Sequence, residues 1–328
     1  MSNGGARGEV ILEVKDLKKH FNVKDGKVLR AVDGVSLAVR ENEIVGLVGE
    51  SGCGKSTLGR TLVGLYDKTA GEVIYRGEKL PVRYQADDFK KFSRQIQMIF
   101  QDPYSSLNPR MTIREIVSEG PMIHGIWKKE EIEQKVGFWL NRVGLAAAHM
   151  SRYPHEFSGG QRQRIGIARA LALEPRVIVC DEPISALDVS VQAQVVNLLE
   201  DLKNRMGLTL LFIAHDLSMV RYISDRMAVM YLGQMVELGP ADEVYFRPKH
   251  PYTQSLVASN PEADPAKERN RVHQILTGEI PSPVNLKPGC RFAGRCPKAM
   301  PICSVDEPKW KEVAKEHFAA CHLFETTH

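Results

Sequence analysis

Glu43-Ile44-Val45-Gly46-Leu47-Val48-Gly49-Glu50-Ser51-Gly52-Cys53-Gly54-Lys55-Ser56 decides the fold of this chain. The run from Ile44 to Val48 is apolar with a β-branched share, which predicts a buried strand. Gly49, Gly52 and Gly54 follow at once; residues without Cβ let backbone N–H groups approach an anion closely. Ser56-Thr57-Leu58-Gly59-Arg60-Thr61-Leu62 then predicts a helix whose N-terminal dipole favours negative charge. Strand, glycine loop and helix in this order match GxxxxGK[ST], in which the lysine reaches the β- and γ-phosphates of a nucleotide and the hydroxyl ligates Mg²⁺. That gives Lys55 and Ser56 their expected roles.

Working outward, Val177-Ile178-Val179-Cys180 predicts a central strand that delivers Asp181 to the C-terminal edge of the sheet, where open α/β sheets bind ligands. Asp181 is expected at Mg²⁺ and Glu182, one residue on, beside an attacking water. Between the two halves of this site lies Phe157-Ser158-Gly159-Gly160-Gln161-Arg162-Gln163-Arg164, a second glycine element opening a helix, without a lysine.

These elements, in this order, closely resemble ATP-binding-cassette ATPases. Ser158, Gly159, Gly160 and Gln161 match the family signature, with Phe157 where leucine is more usual. The resemblance implies an α/β fold: a P-loop, RecA-like core with an antiparallel β edge subdomain and a helical subdomain at about 104–160. Gln101 matches the glutamine that joins the Mg²⁺ site to a transmembrane partner, so Mg²⁺ is assigned to Ser56, Gln101 and Asp181. Asp188 in Ser185-Ala186-Leu187-Asp188 matches the contact between ATPase subunits, and His215 the histidine that reaches the γ-phosphate. Gly49, Glu50, Ser51, Gly52, Cys53, Gly54, Lys55, Ser56 and Thr57 would hold ATP. Phe21 would stack on adenine or serve as a plain hydrophobic anchor. Catalysis would rest on Glu182, His215, Lys55 and Gln101. In the family two subunits pack head to tail, each signature covering the other's nucleotide. Cys53 is either a tolerated small residue or a thiol activated by the helix N-terminus and shielded by ATP.

Composition fits and excludes little. Among 328 residues, 44 Lys+Arg oppose 40 Asp+Glu, a net +4 without a polybasic run, so nothing demands nucleic acid. With a mean hydropathy of -0.25, the apolar stretches are strand-sized, and no transmembrane helix or secretory signal is expected. Lys24-Asp25-Gly26-Lys27 predicts a hairpin between apolar segments at 10–14 and 31–39. Residues 112–154 predict helices at amphipathic spacing, 159–173 the signature helix, 189–206 another helix and 208–214 a strand.

Beyond about residue 250, His250-Pro251-Tyr252-Thr253-Gln254-Ser255-Leu256 precedes a polar linker at 260–271. Gly278-Glu279-Ile280-Pro281-Ser282-Pro283 and Cys290-Arg291-Phe292-Ala293-Gly294-Arg295-Cys296 follow. With the cassette, these segments resemble the ATPase subunits of dipeptide and oligopeptide importers; relatives there also carry nickel, glutathione or oligosaccharides. The resemblance implies a second ATPase subunit, favouring a heterodimer, two permeases, an external solute receptor and work at the cytoplasmic face of the membrane. A nucleic-acid ATPase would be expected to carry coiled-coil insertions or two cassettes, and an exporter to lack this tail. The expected division is an ATPase domain at 8–255 and a cysteine-bearing extension at 256–328. Cys290, Cys296, Cys303 and Cys321 are spaced C-x5-C-x6-C-x17-C. A reducing compartment disfavours disulfides, leaving an iron–sulfur cluster, zinc or free thiols; the resemblance points to a 4Fe-4S cluster.

Overall fold

The computed structural model describes residues 8–259, 281–284 and 286–325. The linker at 260–271 and the Gly278-Glu279-Ile280 part of the proline motif lie outside the described residues.

A four-stranded antiparallel sheet is built from β1 (Val10–Asn22), β2 (Val28–Arg40), β4 (Ala70–Tyr75) and β5 (Glu78–Lys79), in the order β2-β1-β4-β5. The larger sheet has a parallel centre of β3 (Ile44–Val48), β6 (Ile96–Ile99), β7 (Val177–Asp181), β8 (Thr209–Ile213) and β9 (Arg226–Tyr231). It ends in the antiparallel strands β10 (Gln234–Pro240), β11 (Trp310–Ala314) and β12 (His317–Ala320), in the order β11-β12-β10-β9-β3-β8-β7-β6. The helices are α1 (Lys55–Leu62), α2 (Ala86–Phe92), α3 (Ile113–Ile123), α4 (Ile132–Arg142), α5 (Gly159–Leu171), α6 (Val189–Met206), α7 (Leu217–Ile223), α8 (Ala241–Phe246) and α9 (Pro251–Ala258).

The apolar runs are continuous because β3, β7 and β8 are buried along their whole length, with a core on each face. Ile44, Ile178, Cys180, Leu210 and Phe212 enter one core, shared with the helices α3 to α6. Val45, Leu47, Val177, Val179, Leu211 and Ile213 enter the other, beneath the small sheet and α1. Parallel register sets Leu47 and Asp181 each beside Ile213, so the C-terminal ends of β3, β7 and β8 come level. That alignment gathers the glycine loop, Asp181–Glu182 and His215 on one edge.

The helical region forms as expected. Thr112 caps α3 by accepting from Glu115 N, and the Glu115 carboxylate accepts from Thr112 N at 2.7 Å. The signature helix ends at Leu171, two residues short of the predicted end, where Glu174 takes a positive φ of 52° ahead of Pro175. In the hairpin, Asp25 and Gly26 turn the chain at positive φ, and the strands run well beyond the apolar segments that announced them.

The C-terminal region joins the large sheet. β12 pairs with β10 through Glu237–Ala319 and Leu238–Phe318. Glu237, fully buried, accepts from Lys249 N, His250 N and His317 Nε2 at 2.7, 2.8 and 2.6 Å. His250 itself is 1 % exposed and caps α9 by accepting from Tyr252 N at 3.0 Å. Burial pushes the His250 pKa down to about 4, against a smaller opposing pull from Glu237. The unfolded chain therefore binds this proton first, near pH 6.5, so the contribution to stability is complete above pH 6.5. It is lost as pH falls from 6.5 to 4, on the order of 3 kcal/mol. Chemical denaturation at both pH values should show a smaller acid loss in His250→Asn, which keeps a capping oxygen; an equal loss would refute this role.

Candidate nucleotide site

The loop between β3 and α1 wraps tightly because glycines let it. Gly54 has φ 107°, and a Cβ there would lie 2.0 Å from Ala31 O. Lys55 is 4 % exposed, and its Nζ donates to Gly49 O at 2.8 Å and Glu50 O at 3.1 Å. The ammonium thus lies folded back along the loop, with the first turn of α1 beneath it.

Across the sheet edge, Ser56 Oγ donates to Asp181 Oδ1 at 2.7 Å. Asp181 Oδ2 is buried and has no hydrogen-bond partner among the described residues; Arg60 Nη2, 3.9 Å away, is too far to supply one. Burial raises the Asp181 pKa, opposed by Ser56 and then Arg60. A buried carboxylate with an open lone pair beside a serine hydroxyl is a donor set suited to a hard divalent cation. Ser56 and Asp181 therefore fit Mg²⁺.

Glu182 begins the turn after β7 with φ 44°, its N–H donating to Ile213 O at 3.0 Å. Its Oε2 accepts from Gln101 Nε2 at 2.9 Å and lies 3.8 Å from His215 Nδ1. The structure thus brings Gln101, Glu182 and His215 into one group, with His215 mostly exposed. In this arrangement the Gln101 amide is turned to Glu182.

A cleft of about 270 Å³ runs along the loop, lined by residues 51–57 together with Phe21, Gln101 and Glu182. Gly49, Glu50, Asp181 and His215 stand behind or beside it. Phe21 lies half-buried at one end; Tyr66 meets its edge at 5.4 Å and Lys19 Nζ lies 4.7 Å from its centroid. Sequence reasoning missed Leu29, Arg30, Ala31, Leu232, Gly233 and Pro283, which complete the lining. They carried no local signal, since strand pairing and a segment more than 200 residues away bring them in.

Cys53 follows the first of its two expected readings, a small residue tolerated in the loop. Only 4 % exposed, its thiol is pushed up by burial, with Lys55 offsetting only part of that. It is a packed thiol rather than one activated by the helix N-terminus.

The signature contributes no lining to this cleft. Ser158 caps α5, accepting from Gln161 N at 3.3 Å, while Gln161 Oε1 accepts from Ser158 N at 3.1 Å. Ser158 is exposed, and so is Asp188, which precedes α6. A Cβ on Gly160 would lie 2.4 Å from Val191 Cγ1, so α6 packs directly on the signature backbone. Arg162 is buried beneath, donating to Pro154 O and His155 O, with its guanidinium 3.9 Å from the Tyr104 ring centroid. The first turn of α5 is thus capped by its own side chains, is exposed at Ser158 and lines no part of the chain's own phosphate cleft.

The tail gathers its four cysteines, none in a disulfide. Burial and then the neighbouring Cys303, Cys321 and Cys296 thiols push Cys290 up to about 11. Cys290 N donates to Cys303 O at 2.8 Å, and Met300 N to Cys303 Sγ at 3.4 Å. Among the described residues, no group of three His, Cys, Asp or Glu is placed to hold a single metal ion, and no helix is long and apolar enough to cross a membrane.

Residues 32–185 match the family model described as ABC transporter, and residues 236–303 that of the oligopeptide/dipeptide transporter C-terminal region. The chain is 56% identical over 315 residues to the putative oligopeptide transport ATP-binding protein YkfD of Bacillus subtilis, covering 96% of this chain and 95% of YkfD. It is 54% identical over 310 residues to the oligopeptide transport ATP-binding protein OppF of Escherichia coli, covering 92% of each. Among solved structures, the dimeric post-hydrolysis state of the ATP-binding cassette MJ0796 bound to ADP and Pi aligns with a TM-score of 0.64 and 29% identity, over 70% of this chain and 99% of that one. CbiO1 from Clostridium perfringens, part of the ABC transporter complex cbiONQ, aligns with a TM-score of 0.64 and 28% identity, over 73% and 92%.

Proposed function

The chain belongs to the ATP-binding-cassette ATPases of the oligopeptide and dipeptide transporter family, and from that premise we propose that it hydrolyses ATP to drive peptide import through membrane permeases. The observation that carries the ATPase reading is the buried Asp181 carboxylate, bonded to Ser56 at the foot of the phosphate loop with Glu182 next to it.

In this reading, residues 49–57 hold the phosphates, and Lys55 turns from the loop carbonyls to the γ-phosphoryl group as charge develops there. Ser56 and Asp181 would hold Mg²⁺, with Gln101 joining them once its amide turns from Glu182, and the ion would supply positive charge to the phosphates. Gln101 would link that site to the permeases. Glu182 orients and deprotonates the attacking water, His215 steadies the γ-phosphate, and Phe21 with Leu29 and Pro283 receives the base. Ser158, Gly159, Gly160 and Gln161 serve the nucleotide of a second, head-to-tail subunit. Their absence from this chain's own cleft supports this, as does the exposure of Ser158 and Asp188. A related ATPase completes a heterodimer.

The permeases dock beside Gln101, where Leu65, Phe89, Phe100, Ile123 and Leu173 line a largely apolar groove. An external receptor delivers peptide, and the ATPase works at the cytoplasmic face. The ATPase domain is 8–255, and the extension from 256 is stapled by its four cysteines. Cys290, Cys296, Cys303 and Cys321 would hold a 4Fe-4S cluster: they neighbour one another without disulfides, and four thiolates are the ligand set such a cluster takes. Metal binding would deprotonate the thiols, working at Cys290, Cys296 and Cys321 against burial, which raises their pKa.

The test is a pull-down of the chain from detergent-solubilised membranes, with iron assayed on the same anaerobic sample. Permeases and a second ATPase should co-purify, with about four irons per chain and broad absorbance near 400 nm. Recovery without membrane subunits would overturn the transport assignment, and absence of iron the cluster.

A further inference from the structure

The phosphate loop contains an acid, Glu50, one residue after Gly49. A carboxylate in a loop that must receive polyphosphate opposes its ligand unless something neutralises it. Here the neutralising group comes from the tail, 245 residues away. Arg295 Nη1 donates to Glu50 Oε2 at 2.9 Å and Nη2 to Oε1 at 3.0 Å, a fork-to-fork pair. The two side chains are 6 % and 18 % exposed, so water screens the pair weakly.

The tail is built to aim that guanidinium. Phe292, 1 % exposed, packs 5.4 Å from both Tyr231 and Tyr252, and the 3-10 turn Ala293–Arg295 follows it. Arg295 Nη1 also donates to Tyr231 OH at 3.3 Å. A second contact reaches the same loop residue: Glu50 N donates to Tyr252 OH at 2.9 Å. Alongside, Arg291 bonds Asp33 and Leu232 O, and Arg30 N donates to Pro283 O at 3.3 Å. Residues after 250 therefore hold the phosphate loop at both side chain and backbone.

We infer that Arg295 is a positioning residue for ATP: it orients and neutralises Glu50, so the phosphate loop is held ready for the nucleotide by the C-terminal extension. The inference rests on the ATP-site reading and names a residue of this chain that makes no contact with ATP itself.

The test measures the ATP dissociation constant and steady-state hydrolysis on full-length chains. Arg295→Met should weaken ATP binding and raise KM about tenfold, with kcat within twofold, because binding common to ground and transition states is lost. Adding Glu50→Gln to that variant should recover most of the affinity, since the bare carboxylate is gone. Loss of tail packing alone would not be rescued this way. Arg295→Lys, which keeps the charge and loses the fork, should fall between, and carries the test if Arg295→Met does not fold. Affinity within twofold of wild type in Arg295→Met, or a double variant no better than the single, would overturn the inference. A wild-type chain that binds no ATP would instead overturn the ATP-site reading, and this inference with it.

Discussion

Glu182→Gln binds ATP as tightly as wild type and stops turning it over. Glu182 is the acid at the end of β7, held toward the cleft by its positive φ and by Gln101. Glutamine keeps the volume and can still bond Gln101, but cannot take a proton from water. Loss of a general base costs about 10²- to 10⁴-fold in rate. With hydrolysis stopped, the γ-phosphate contacts persist and the two-subunit interface stays closed. Phosphate release and light scattering in MgATP would read both effects. Turnover near the wild-type rate would remove Glu182 from the role of base.

Lys55→Met should cost binding as well as turnover. The Lys55 stem is buried and its ammonium rests on Gly49 O and Glu50 O within the phosphate loop, from which it turns to the γ-phosphoryl group. Methionine fills the stem's space without the charge. Removing one charged donor to a transition-state oxygen costs about 3–4 kcal/mol, or 10²- to 10³-fold. Binding of a fluorescent ATP analogue and kcat/KM should both fall by that order. A kcat/KM within tenfold of wild type would show that the backbone N–H groups and Mg²⁺ suffice.

The centre of the site was legible because it is built from consecutive residues. Strand, loop and helix from Ile44 to Leu62 announce themselves by apolar run, glycines and cap, and Val177 to Glu182 does so by an apolar run ending in acid. The ends of the hairpin were not legible, since Lys18-Lys19-His20 interrupts the apolar pattern while pairing with β2 continues through it. Between the two readings of Cys53 the sequence could not choose, because burial, which raises the thiol pKa here, is a property of the fold and not of the loop's residues. Arg295 could not be found at all: its partner is 245 residues away, and no periodicity links them. The strands β11 and β12 were hidden likewise, being short and paired with a partner whose position only the fold reveals.

The place of β12 on the sheet also matters to the chain while it is being made. Glu237 on β10 and His317 on β12 are 80 residues apart. At a synthesis rate of about 5–20 residues per second, β10 leaves the ribosome roughly 4–16 s before its neighbour exists. For those seconds the nascent chain carries an unpaired strand edge and a buried-type carboxylate without its imidazole, and such edges are templates for self-association. Faster translation of the eighty codons that separate them, or a chaperone that covers β10 until β12 arrives, should raise the soluble yield.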